Sequence, residues 1–214
     1  MAHLDTNRHI YYYVLQGNSN ILSDERDKKK LLDIILSVRR ERDFELYAFC
    51  LTDEEVFLLT GAKRQAKLDR AVRVISAEYA AYYVDKHIYA KNAAYSGVKS
   101  AATLQDRRVY GLETVWKERL NHMQEVRDKC RAIHCIPVER GYAGRIRDYW
   151  WSSYRSYLGY YEWKDLDMLP MLQLFAPEPE KARRQLRRFH ELIFQNGFET
   201  RSGKERLLLE VPKD

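Results

Sequence analysis

Three groups of residues in this 214-residue chain carry side chains able to do chemistry. The first is His122, Cys130, His134 and Cys135. Cys130 and His134 stand four apart, so a helix would present both on one face. Zinc sites commonly take paired ligands from two places, often cysteines two residues apart, and that spacing is absent here. A buried thiol beside a hydrogen-bonded histidine fits the same residues. The second group, Asp53-Glu54-Glu55, lies between two apolar runs, where it suits either a hard cation or a solvated acidic turn. The third is the set of sixteen tyrosines, interspersed with Arg and Lys. Aromatic faces stack unpaired bases, although core packing with a hydroxyl at the surface uses the same residues. Phosphate loops, dinucleotide fingerprints and zinc-protease helices are missing from the sequence.

Composition narrows the partners. The formal charge is +6, which suits a polyanion because Lys and Arg that neutralise phosphates release bound counterions. A solvated basic surface accounts for the same charge. Three cysteines, Cys50, Cys130 and Cys135, are too few and too unevenly spaced for a disulfide framework. The start lacks a secretory apolar stretch, and no apolar run approaches a membrane span. A cytoplasmic protein with reduced thiols is expected.

These side chains need elements to position them. His9 to Gln16 is rich in β-formers and ends at Gly17-Asn18, which predicts a strand and a turn. Leu31, Ile34, Ile35 and Val38 fall at helical spacing within Asp24 to Glu41. Phe44 to Leu51 and Glu55 to Leu59 flank Thr52-Asp53-Glu54 as a hairpin. Leu68, Val72, Ile75, Tyr79 and Tyr82 then form one helical stripe. Ala90 to Gly111 has little pattern and reads as loop; Glu113 to Ile133 reads as helix, with a turn at Gly141 after Pro137. Ile146 to Leu158 concentrates aromatics, among them Trp150, Trp151, Tyr154 and Tyr157. A last helix from Glu180 to Phe194 buries Leu186, Phe189, Ile193 and His190, with Lys181, Arg184, Arg187 and Arg188 opposite. The order of elements predicts an α+β fold, an antiparallel sheet covered by helices on one face, with a C-terminal helical extension.

Three segments resemble a known family, the REP-associated single-tyrosine transposases of the HUH class, relatives of the transposases of insertion-sequence-200 type. Tyr12-Tyr13-Val14-Leu15-Gln16-Gly17-Asn18 is similar to that family's first strand, Y-H-V-x-x-R-G-N. Phe44-Glu45-Leu46-Tyr47-Ala48-Phe49-Cys50-Leu51 resembles the strand before its metal motif, continued by Val56, Leu58 and Leu59. Ile133-His134, Pro137-Val138 and Gly141, followed by Trp151-Ser152-Ser153-Tyr154-Arg155-Ser156-Tyr157-Leu158-Gly159, resemble R-Y-I-H-L-N-P-V-R-A-G and W-S-S-Y-R-x-Y-L-G. Leu172 to Phe194 is similar to the extension of many members. The W-S-S-Y-R block is the most specific of these matches; between Lys86 and Glu125 the chain departs from the pattern.

The resemblance implies an HUH/ferredoxin-like domain over 1–145, with an aromatic and basic helical extension over 146–214 packed on it. It also implies DNA transposition by single-strand cleavage. There, two histidines and an Asn or Gln hold Mg²⁺ or Mn²⁺, and a tyrosine attacks the DNA phosphate. At the histidine positions this chain has Glu55 and Phe57, at the nucleophile position Ala132, and at the third-ligand position Ile136. None of these is a His, Tyr, Asn or Gln, so the expectation is no cleavage, and no metal or other cofactor in the protein. DNA, as a hairpin or single strand, is the expected partner, bound by a homodimer. Lys63, Arg64, Arg70 and Arg73 are the candidate DNA-contacting residues, since Arg70 and Arg73 share a face opposite the Leu68–Tyr79 stripe. A wet helix face that serves solubility is the other reading of them. Alternatives are an active transposase or nuclease with a rearranged site, using Tyr95 or Tyr110, and a regulatory protein that binds a protein partner.

Overall fold

A computed structural model describes residues 8–17, 20–89 and 110–195 of the chain. Its elements run β1 (His9–Gln16), α1 (Glu25–Arg42), β2 (Glu45–Leu51), β3 (Glu55–Ala62), α2 (Gln65–Tyr83), β4 (Glu113–Leu120) and α3 (Met123–Glu139). They are followed by the short α4 (Tyr154–Tyr157) and α5 (Met168–Gln173), then α6 (Pro179–Gln195). α2 continues into a π-helical turn over Val84–Tyr89. The four strands form one antiparallel sheet in the order β2-β3-β1-β4. Strand, helix, strand, strand, helix, strand with this order is the ferredoxin-like α+β arrangement.

Local chemistry sets the element ends. Asp24 caps α1, its carboxylate accepting from the Arg26 amide at 2.7 Å, and Asp43 closes it in the left-handed conformation at φ 50°. Thr52 shapes the β2–β3 turn by accepting from the Glu55 amide at 3.0 Å. Tyr11 and Tyr13 of β1 point to one face of the sheet, where their hydroxyls donate to Gln65 and Asp69 of α2. α1 packs beside α2 on that side. Tyr12 points to the other face, beneath Lys129 of α3. Helices thus cover one face as expected, and the opposite face is closed by α3. This explains why β2 and β3 are buried along nearly their whole length instead of alternating.

The segment Glu113–Ile133 differs from the sequence reading. It is not one helix: Glu113–Leu120 forms β4, and helix starts only at Met123. Thr114, Val115 and Trp116 are strand formers, but charges stand on both faces of β4 because it is an edge strand, and they hide the alternation. α3 also runs through Pro137 to Glu139. Its last turn is held by the Pro137 carbonyl, which accepts from the amides of Tyr142 at 2.7 Å and Ala143 at 3.1 Å. The last helix spans Pro179–Gln195, with Leu186 and His190 buried. The expected loop over 90–111 falls mostly outside the described residues, as does Tyr95. No helix of the described residues is long and apolar enough to cross a membrane.

The segment after the 3₁₀ turn at Ile146–Asp148 seals the outer edge of β2. Leu51 N donates to Trp151 O at 2.9 Å, Ser153 N to Phe49 O at 3.0 Å and Phe49 N to Ser153 Oγ at 3.0 Å. The hydroxyls of Tyr149 and Tyr157 donate to the carbonyls of Leu51 at 2.6 Å and Tyr47 at 2.5 Å. The W-S-S-Y block is therefore a clip that satisfies the backbone of an edge strand, at about 1 kcal/mol of net stabilisation per hydrogen bond.

Candidate functional site

The positions singled out by the resemblance meet on the α3 face of the sheet. Phe57 stands across the ladder from Val14 and Cys50, so its ring points toward α3 with Tyr12. Glu55, two residues earlier, shares that face. Arg140, just beyond α3, donates to the Glu55 carboxylate, and its guanidinium carbon lies 5.1 Å from the centre of the Phe57 ring. Ile136 is one turn before Arg140 and fully buried, and Ala132 continues the same helical row one turn earlier. Lys129 sits 2.8 Å from Glu118 of β4 and 4.5 Å above the Tyr12 ring. Burial, and next the charge of Glu55, push the Tyr12 hydroxyl far above its usual range, with Arg140 pulling it back.

This face is balanced from within. Each carboxylate has a cation from α3 or its end, and each cation also rests on an aromatic ring. Phe57, Ala132 and Ile136 supply neither a metal ligand nor a nucleophile. Tyr110 lies elsewhere: it stacks on Tyr83 of α2 at 5.7 Å, on the far side of the sheet. In the acidic turn, Asp53 accepts from Lys28 of α1 at 2.5 Å, so a protein cation already neutralises it.

Lys63, Arg64, Arg70 and Arg73 are all exposed and make no ion pair among the described residues. They are not gathered around Glu55 and Phe57. α2 covers the opposite face, and Lys63 follows β3 at the end away from Glu55, a strand length of about 25 Å. Between them and the sheet, Asp69 receives the Tyr13 hydroxyl at 2.9 Å and Lys117 at 2.6 Å. Burial alone would raise the Asp69 carboxyl; the hydrogen bonds from Lys117 and Tyr13 outweigh it and hold it below the usual carboxylate range. Arg119 of β4 is a further exposed cation on this side, because it pairs in register with Tyr11, whose hydroxyl reaches the first residue of α2. A helical reading of its segment hides it as a neighbour of α2.

Two further clusters emerge. Trp150 and Tyr161, each 39% exposed, pack with Trp163 at centroid distances of 4.7 to 5.9 Å, and Arg155 lies 5.0 Å from the Trp150 ring. Such a set offers flat faces beside a cation. The other is buried: His134 of α3, already paired in sequence with Cys130, meets His190 of α6 at 2.9 Å. Burial, and next His190, hold His134 well below the usual imidazole value; burial takes His190 down to about 3. The sequence marks His190 only as a buried residue of the last helix, since nothing in it links that residue to a partner this distant.

No family model matches the chain, and no curated protein matches it. Among solved structures the chain is similar to one described as the structure of the REP associates tyrosine transposase bound to a REP hairpin. Identity is 13%, coverage is 74% of this chain and 91% of that chain, and the TM-score is 0.49.

Proposed function

We propose that the protein is a transposase-related, noncatalytic DNA-binding protein, recognising hairpin or single-stranded DNA as a homodimer in the cytoplasm. The observation that carries the binding half is the group of exposed cations Lys63, Arg64, Arg70 and Arg73, without acidic partners among the described residues. Other cations are paired within the chain, as Arg39 is with Asp167 and Lys117 with Asp69, while Lys181, Arg184 and Arg188 of α6 are a second exposed set without an ion pair among the described residues. Unpaired cations on a helix face are free to meet phosphates without breaking an interaction of the fold. The net charge of +6 and the Trp150–Tyr161–Trp163 faces support the same partner. The noncatalytic half is supported by the pairing of Arg140 with Glu55 over Phe57, where the resemblance implies a metal. The homodimer rests on the resemblance alone.

The test is a titration of hairpin DNA at two salt concentrations, with a denaturing gel of the same mixtures in Mg²⁺ and Mn²⁺. Binding that weakens steeply with salt, with intact DNA and no covalent adduct, is the expected result. A covalent band lost on Tyr110→Phe or Tyr95→Phe would overturn the noncatalytic half. Absence of binding at low salt would overturn the DNA half and leave a protein partner.

A further inference from the structure

We propose that Cys130, His134 and His190 form a binding site for a zinc ion, or a similar borderline divalent cation, buried between α3 and α6. The cluster is separate from the Glu55–Arg140 region and does not depend on the DNA reading. The three ligand atoms lie within 4.8 Å of one another, and all three residues are buried. His134 Nδ1 is 2.9 Å from His190 Nε2 and 3.9 Å from Cys130 Sγ. Tetrahedral zinc, with bonds of about 2.0–2.1 Å to nitrogen and about 2.3 Å to sulfur, places such atoms roughly 3.3–3.7 Å apart. The two rings must part by about half an ångström and the widest edge of the cluster, up to 4.8 Å, must close by about 1 Å to make the seat, a movement of side chains and not of the helices.

The outer ring nitrogens are already held as metal-bound imidazoles need. His190 Nδ1 donates to Leu186 O at 2.8 Å, which leaves the lone pair of Nε2 facing the cluster. His134 Nε2 lies 2.8 Å from Ser153 Oγ, and that hydroxyl is 3.3 Å from Phe49 O. With Nε2 protonated, it donates to Ser153, Ser153 donates to Phe49, and His134 Nδ1 turns its lone pair toward that of His190. Two inward lone pairs and a thiolate are a zinc donor set. Without metal, a proton on His134 Nδ1 bridges to His190 Nε2 and Ser153 reverses its hydroxyl, so the same side chains remain satisfied. Metal binding then moves that proton to Nε2 and releases the Cys130 thiol proton, giving one proton to solvent per ion. The rings of Tyr154 and Tyr157, each 5.3 Å from that of His134, hem the cluster in, so a fourth ligand is a small molecule such as water. The bound ion ties the last helix to α3 and, through Ser153, to β2.

The experiment uses the full chain without an affinity tag, stripped with chelator and titrated with Co²⁺ and then Zn²⁺. The expected result is one equivalent of cobalt with a thiolate charge-transfer band, displaced by zinc with release of one proton. The melting temperature should rise with Zn²⁺ and not with Mg²⁺. Cys130→Ser should lose the charge-transfer band, and His190→Gln should weaken cobalt binding at least tenfold while circular dichroism shows retained helix. A parent chain that gives neither band nor thermal shift overturns the site, whatever the variants do. So does a band that survives in Cys130→Ser, because the thiolate then comes from elsewhere.

Discussion

Two groups of cations, one on each face of the sheet, are used in opposite ways. On the α3 face Lys129 and Arg140 are each given a carboxylate and an aromatic ring within the protein. On the α2 face the cations Lys63, Arg64, Arg70 and Arg73 point outward with no acid among the described residues. A paired cation contributes to the fold and offers little to a ligand, whereas an unpaired one does the reverse. Net charge alone cannot distinguish these cases; the partner of each cation can, since Lys117 lies on the α2 face as well and is held there by Asp69.

The largest expected effect sharpens the contrast on the α3 side through pH. His134 and His190 are held neutral in the folded chain, whereas unfolded histidine takes up a proton near about 6.5. The unfolded state therefore binds more protons from about 6.5 down toward the depressed values, and stability falls as pH drops through that window. In chelator-treated protein each histidine should cost up to about 1.4 kcal/mol per pH unit, read from urea midpoints at pH 7 and pH 5. His190→Gln should flatten that dependence; an unchanged slope would show that the pair does not carry it.

Next comes Arg140→Ala, which leaves Glu55 half-enclosed without its cation. Part of the Arg140 side chain is exposed, so the loss should be about 2 kcal/mol rather than the larger cost of a fully buried pair. Glu55→Gln in the same chain should recover much of it, measured by denaturant unfolding. Additive losses would mean that the two residues act separately.

The smallest stability effects belong to the α2 side. Arg70→Ala/Arg73→Ala should move unfolding by less than about 0.5 kcal/mol. It should weaken hairpin binding at all sequences and lower the salt slope by about one unit for each phosphate left unneutralised. Arg119→Ala should act in the same direction with a smaller change. Should affinity and slope both stay unchanged in the double variant, the footprint is elsewhere, and Arg155→Ala beside Trp150 becomes the next measurement.

The front half of the fold was legible because each element shows one strong period: β1 by its run of β-formers, α1 and α2 by their apolar stripes, and the β2–β3 hairpin by its polar turn. β4 was not, since an edge strand with Lys117, Glu118 and Arg119 in succession has no apolar alternation to read. The candidate site was legible by position and not by content. Motif order pointed to Glu55, Phe57, Ala132 and Ile136, but the partner that fills the space, Arg140, stands just before Gly141 where the family pattern has Ala, so the motif marks its place and not its role. Likewise the i, i+4 spacing of Cys130 and His134 was visible, while His190 arrives through the docking of the last helix. Periodicity reports which face is apolar; it carries no information on which distant side chain completes a polar group.

The clip over β2 has a consequence for how copies of this chain can assemble. A sheet with two open edges can add neighbours at both and grow without limit. Here Trp151, Ser153, Tyr149 and Tyr157 occupy the hydrogen-bonding groups at one rim, and among the described residues only β4 keeps an unpaired outer rim. Joining two molecules rim to rim through β4 about a twofold axis uses up that last opening on both, and propagation ends at the pair.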